Sequence, residues 1–397
     1  MTVGQDIRLD ELSRDPWPTY QKLRDEEPVS WVPAANRYFV TRYDDVTIIE
    51  RNPDVFSAQE EGSLLYRVMG HPFMRRDGEQ HLAERSMVSH PMSPRSVKLT
   101  WLPVFWRNTE HLIGQLKARG QNADLVSDFC GPLAARNLAY LLGLLRVDDN
   151  ESPDIFDEPL QRWSQTMMDA VGNYADDATV WERAENSVAE LEEAVSRTIH
   201  RVNKNPDGSI ISAAVSAGMP EDSLSAAIKV IIGGGINEPR DAMGAAVFAV
   251  LSDSRLRERV EHDSTLWRRI FEESIRWVAP ISMYPKMVVK ETVLGGVTLK
   301  PGDRIGVCVG SANRDERVFT NPDSFDIDRE EMAHHAFGGG AHYCAGAWVA
   351  RASVGQVALP QIFSSLAGLH IRMDSEPEMR GWVFRGLIDL LVEWDAD

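Results

Sequence analysis

The sequence predicts a mainly α protein with small β-sheets. Two observations carry the helical part. Residues 100–204 are helical in pattern, and 221–253 read as one long helix, mostly apolar and rich in Gly and Ala. A third carries the sheets: strand-like stretches at 29–31, 37–40, 288–300, 304–309 and 369–394 are bounded by turn residues. The chain has 397 residues, 43% hydrophobic and 26% charged, enough to bury a large core. A formal charge of −18 argues against a general nucleic-acid role. There is no run of about 18 uninterrupted apolar residues, so no membrane span is expected. Residues 1–10 lack the basic-then-apolar build of a signal peptide. Cys130, Cys308 and Cys344 are too few and too scattered for a disulfide framework, which fits a reducing cytoplasm.

Taken in order, 18–26 is a helix with Tyr20 and Leu23 on one face. Two short strands flank the Ala34-Ala35-Asn36 turn, and 44–51 is a short helix ending near Pro53. Residues 60–73 form a Gly/Pro-broken loop that carries apolar side chains, among them Leu65 and Met69, unlike an ordinary solvated connector. In 77–95, His81 and Arg85 stand four apart and share a helix face, which suits a buried carboxylate. Trp163, Met167, Met168 and Val171 make an apolar stripe. Val188, Leu191, Val195, Ile199 and Val202 recur at helical spacing, with Glu190, Glu192 and Glu193 elsewhere on the wheel. That helix closes at Asn205-Pro206-Asp207-Gly208.

The long helix is locally expensive. Gly233, Gly234, Gly235 and Pro239 sit at its centre, at about 1 kcal/mol per Gly and about 3 kcal/mol for Pro relative to Ala. Such a stretch is tolerated where a helix opens or another group approaches closely. Pro239 has no N–H, so the Gly235 carbonyl loses its helical partner. The expectation is a groove with a free carbonyl, beside Asn237 and Glu238. Glu273 and Arg276, three apart, can pair on their helix.

The stretch with most chemistry is Phe337-Gly338-Gly339-Gly340-Ala341-His342-Tyr343-Cys344-Ala345-Gly346. A thiolate is a strong, soft ligand for iron. Glycines let the loop turn tightly and let backbone N–H groups approach the sulfur. Phe337 can lie over a flat cofactor, and His342 can reach a carboxylate at its edge. At Phe337, Gly340, His342, Cys344 and Gly346 the chain resembles the haem-binding loop of the cytochrome P450 family.

The resemblance covers nearly the whole chain and implies one domain, 1–397, of cytochrome P450 fold. It implies haem b on Cys344 as metal ligand, with Phe337 and Gly338 beside it. It also implies His81, Arg85, Lys286 and His342 as propionate partners, Lys286 standing where the family commonly has Arg. Glu273, Arg276 and Arg329 become a structural network. Leu65, Met69, Trp163, Met167, Ile232, Ile236, Ile281, Met283 and Phe384 become candidate substrate contacts. Gly235, Asn237, Glu238 and Pro239 fall where dioxygen is handled. There the family usually has an acid followed by Thr, whereas this chain has Glu238 followed by Pro239. The acid survives and the alcohol does not, so protons must come through Glu238, Asn237, water or the substrate.

The resemblance thus implies a haem-thiolate monooxygenase of the bacterial class, a cytoplasmic monomer acting on a small organic molecule. The Glu238-Pro239 pair and the 380–386 stretch resemble the guaiacol-type O-demethylase branch, which points to a small methoxylated aromatic substrate and formaldehyde release. No fused reductase is expected; a separate ferredoxin or flavoprotein would dock on the cysteine side, near Arg95, Lys98 and Arg351. Other readings are a tailoring hydroxylase of a larger natural product, a peroxide-driven peroxygenase, and a haem-thiolate binding protein without turnover.

Overall fold

A computed structural model describes residues 2–146, 153–173, 176–330 and 333–395. The fold is mainly α with small sheets. The chain forms two compact units, each assembled from three segments of sequence.

The first unit comprises 1–60, 241–344 and 373–390. Its five-stranded sheet runs in the order Val29–Val32, Arg37–Val40, Arg304–Val307, Tyr284–Val288, Phe56–Ser57. The first two strands form a hairpin in the register Val29↔Val40. Asn36 closes it at φ 50°, a left-handed position that Asn tolerates better than most residues. Arg37–Val40 pairs parallel to Arg304–Val307, and the other pairings are antiparallel. Val40, Ile49, Phe56, Val288, Ile305 and Val307 fill one core cluster of this unit; Tyr20, Leu23, Phe39, Met283 and Cys308 fill another.

The stretch 288–300 turns at Gly295-Gly296, as its sequence suggests, and does not run on from the sheet as one strand. The sheet strand ends at Val288, and a separate hairpin pairs Thr292–Leu294 with Val297–Leu299. Gly295 and Gly296, at φ 55° and 81°, make its two-residue turn, the geometry that matches strand twist. The helix Trp267–Val278 buries Trp267, Ile270, Phe271, Ile275 and Val278, spaced for one face. Pro280 follows and prevents its continuation.

The second unit comprises 61–240, 345–372 and 391–397. Its helices include Gly78–Ser89, Leu102–Arg119, Gly131–Leu142, Asp157–Val171 and Ala178–Lys204. Asp177 caps the last of these by accepting from the Thr179 N–H, and Leu191, Val195 and Val202 face the core. The segment 60–73 is not wholly a loop: Leu65–Met69 is a short helix. No Gly or Pro interrupts it, and Gly62 and Gly70, at φ 74° and 73°, bound it. The end of the chain gives strands of only two or three residues, because Pro377 and Gly381 interrupt the alternation.

The long helix is continuous over Glu221–Ser252, with Pro239 inside it. The expected opening is therefore not a break in the helix. Proline deletes one N–H, and the flanking turns carry the helix through. Fully or nearly fully buried Ile228, Ile232, Ile236, Met243 and Val247 offset the cost. Each such side chain contributes about 1.5–3 kcal/mol of burial.

Candidate active site

The cysteine loop is built within the first unit. Residues His335–Phe337 and Gly340–His342 form two short 3-10 turns, joined through Gly338 at φ 64°. The Cys344 N–H donates to the Phe337 carbonyl at 2.8 Å, which ties the two ends of the arch together. Cys344 is exposed, whereas Cys130 and Cys308 are buried. Burial pushes the Cys308 thiol well above its ordinary range, so that sulfur stays a thiol. Cys344 alone among the three is both accessible and held in a shaped loop. Phe337 is half-buried, with its ring centroid 6.4 Å from Phe271 and 6.2 Å from Tyr343. His342 is half-buried, and Lys286 is buried in the Tyr284–Val288 strand. A soft sulfur donor, a flat apolar ring, and a lysine and a histidine in the same unit fit a metalloporphyrin with carboxylate arms.

The glycines of this loop have a reason the sequence did not reveal. A Cβ on Gly339 would lie 2.4 Å from Glu50 Oε2, and one on Gly340 would lie 2.4 Å from the Glu50 carbonyl oxygen. The arch is pressed onto the end of the helix Tyr43–Arg51. Glu50 accepts from the Tyr284 hydroxyl at 2.8 Å and pairs with His335 Nδ1 at 2.7 Å. Burial beside that carboxylate holds the Tyr284 phenol well above its ordinary range, so it remains a donor. Sequence reasoning missed Glu50 and His335. A signal was present: Glu50 stands four residues after Val46, on the helix face that Val46 marks as buried.

Glu273, Arg276 and Arg329 come together. Arg276 donates from Nε and Nη2 to the two Glu273 oxygens, both at 2.7 Å. Arg329 Nε lies 3.5 Å from Glu273 Oε1, and the Asp326 N–H donates to the same oxygen at 2.9 Å. Arg276 also donates to the carbonyls of Asn313 and Pro322. A buried guanidinium thus ties the run 313–326 to its own helix. Ile281 and Phe384 form an antiparallel bridge, and both are half-buried. Met283 belongs to the core around Phe39 and Cys308 rather than to an open surface.

In the second unit, His81 and Arg85 lie on Gly78–Ser89 as expected from their spacing. His81 is 1% exposed and stacks with Phe73, ring centroids 6.3 Å apart. Arg85 is half-buried. Along the long helix, Ile232, Ile236 and Asn237 are buried and Glu238 is half-buried. A Cβ on Gly233 would lie 3.2 Å from Met69 Cε and 3.3 Å from Met168 Sδ. One on Gly235 would lie 3.1 Å from Leu138 Cδ2, whereas at Gly234 nothing stands within 4 Å. At Gly233 and Gly235 the missing side chains admit Met69, Met168 and Leu138 against an unbroken helix, and only Gly234 is left open.

Trp163 and Met167 are buried in the same core cluster as Leu65, Met69, Ile232 and Ile236. Trp163 is buried edge-on to Phe156, and its indole N–H donates to Glu190 Oε2 at 3.0 Å. Met167 is fully buried in the core, together with Leu65. Consecutive helix residues are turned by roughly 100°, so Met168, not Met167, reaches Gly233. Arg95 and Lys98 are exposed, while Arg351 is half-buried with its guanidinium 5.5 Å from the Trp348 ring. Among the described residues no helix is long and apolar enough to cross a membrane.

Known proteins share this arrangement. The sequence pattern described as Cytochrome P450 matches residues 253–367, the stretch holding Glu273, Arg276 and Cys344. Pulcherriminic acid synthase of Bacillus subtilis (strain 168) is 25% identical over 417 residues, covering 99% of this chain and 100% of its own. Mycinamicin IV hydroxylase/epoxidase of Micromonospora griseorubida is 28% identical over 396 residues, covering 94% of each chain. The crystal structure of CalO2 superposes with a TM-score of 0.86 at 24% identity, covering 97% of each chain. Likeness along the whole chain and a pattern match around the cysteine loop agree: the chain has the cytochrome P450 fold, and its similarity to P450 monooxygenases supports an oxidoreductase.

Proposed function

We propose that this monooxygenase removes the methyl group of a small methoxylated arene, with haem b held by Cys344. The observation that supports a small aromatic substrate is the pair Met69 and Met168 closing over Gly233, beside the open position at Gly234. Thioethers are adaptable and make favourable contacts with aromatic ring edges. His342, Lys286, His81 and Arg85 are the proposed carboxylate partners.

The bound haem supplies oxygen activation, for which a thiolate ligand favours O–O cleavage. The reaction takes ArOCH3, dioxygen, two electrons and two protons to ArOCH2OH and water. The hemiacetal then collapses to ArOH and formaldehyde. Glu238 is the residue proposed to carry protons, since Pro239 has neither an N–H nor a hydroxyl. Asn237 and Gly235 line the same stretch. Ile232, Ile236, Ile281 and Phe384 are proposed apolar contacts. Electrons come from a separate ferredoxin or flavoprotein; Arg95, Lys98 and Arg351 are proposed for its docking.

A second reading, a tailoring oxygenase of a larger natural product, draws support from relatives named for such work, such as mycinamicin IV hydroxylase/epoxidase. Optical titration of the ferric protein with guaiacol, syringol, methoxybenzoates and a macrolide separates the two. A saturating spin-state shift with one methoxyarene, followed by formaldehyde release equal to product on turnover, supports demethylation. A shift with the bulky ligand alone contradicts it.

A further inference from the structure

Glu50 is an acid in an unfavourable place. It ends the helix Tyr43–Arg51, where a carboxylate meets the negative end of the helix dipole. It is 8% exposed, so it has also lost most of its water. Its partners offset both costs. Oε1 accepts from Tyr284 at 2.8 Å, and Oε2 lies 2.7 Å from His335 Nδ1.

His335 is equally constrained. Its Nε2 is 3.1 Å from Thr47 Oγ1, and that hydroxyl donates to the Tyr43 carbonyl at 2.9 Å. With its proton committed to the Tyr43 carbonyl, that hydroxyl is left to accept from the ring, while the other ring nitrogen faces the Glu50 carboxyl. The His335 N–H donates to Asn313 Oδ1 at 2.7 Å, and its ring centroid lies 4.4 Å from that of Tyr43.

From His335 the chain runs directly into the arch of the cysteine loop. That arch folds back onto Glu50, within the 2.4 Å notional contacts at Gly339 and Gly340. A Cβ on Gly338 would also stand 3.8 Å from Glu50 Oε1.

We propose that Glu50, clamped by His335 and Tyr284, is the positioning residue of the cysteine loop. It is the seat on which Gly338–Gly340 rests, and through it the Cys344 sulfur is fixed against its iron. The inference rests on Cys344 being the ligand. Glu50 touches neither iron nor substrate and acts only through the loop.

The test uses the full-length, haem-loaded protein. Wild type, Glu50→Gln, Tyr284→Phe and the apolar pair Glu50→Leu/His335→Leu are compared. Three readouts are taken: the share of thiolate-type band in the ferrous carbonyl spectrum, the rate at which mild urea abolishes it, and the ferric/ferrous potential. Helix content by circular dichroism reports global unfolding. The expected result is that Glu50→Gln loses the thiolate band several-fold faster and shifts the potential, under urea that leaves helix content unchanged. Tyr284→Phe does the same to a smaller degree, and the apolar pair recovers part of the loss by filling the seat. If Glu50→Gln and Tyr284→Phe both match wild type in band, rate and potential, the proposal is overturned. If Glu50→Gln does not fold, Tyr284→Phe alone decides on the same readouts. A wild type lacking a thiolate-type band overturns the ligand assignment and this proposal together.

Discussion

Glu50 and His335 stand 285 positions apart and meet through a buried 2.7 Å contact directly beneath the cysteine loop. That relationship makes two neighbouring glycines unequal. At Gly339 an added methyl meets a side-chain carboxylate, while at Gly340 it meets backbone at φ 59°. We predict that Gly339→Ala destabilises by about 1–3 kcal/mol through overpacking. Much of that loss returns in Gly339→Ala/Glu50→Ala, whereas Gly340→Ala is not rescued by Glu50→Ala. Urea denaturation of these four variants, of Glu50→Ala alone and of wild type gives the coupling.

Arg276 has no solvent to fall back on. Replacing Glu273 by Gln leaves a guanidinium buried with its ion-pair partner gone, and this should cost about 3–5 kcal/mol. The same variant should take up less haem on expression, since the 313–326 run leads into the ligand loop. A Glu273→Gln protein with wild-type urea midpoint and haem content would contradict the buried pairing.

Gly233 separates folding from binding. Gly233→Ala should leave the helix as stable or firmer by up to about 1 kcal/mol, since Ala is the better helix former. The methyl pushes on Met69 and Met168, both flexible, so the fold absorbs it. The methoxyarene should then bind several-fold more weakly, with the deficit in KM rather than kcat. Spin-state titration beside a thermal melt checks both halves.

Glu190 gives an acid-side dependence. Hydrogen bonds from Arg162 and then from Trp163 hold its carboxyl below the ordinary carboxylate range. The unfolded chain therefore binds this proton more readily. The stabilisation is present above the ordinary carboxylate pKa and is lost as pH falls through the lowered folded value. The group is largely solvated, so the effect is within about 1 kcal/mol and shrinks in salt. Stability of wild type and Glu190→Gln, compared between neutral pH and the acid limb, should differ less at the acid end.

Much of this was legible in the sequence because short-range patterns carry it. Helix spacing placed His81 with Arg85 and Glu273 with Arg276, and the glycine pattern located Cys344. What escaped was tertiary. The glycines of the loop were read as serving the sulfur, whereas they also make room for Glu50, whose approach no local pattern encodes. Met167 and Met168 are equivalent in composition, and only the rotation of their helix decides that Met168 meets Gly233. Pro239 suggests an opening of its helix, but burial of Ile228, Ile232 and Ile236 before it and of Met243 and Val247 after it holds the helix continuous.

The most direct test is the ferrous carbonyl spectrum of wild type beside Cys344→Ser. A thiolate ligand shifts that band in a way an alcohol cannot reproduce. With Cys344 on the iron, wild type shows the thiolate-type band and Cys344→Ser loses it while still folding. Retention of the thiolate-type band in Cys344→Ser would place the ligand elsewhere and contradict the account.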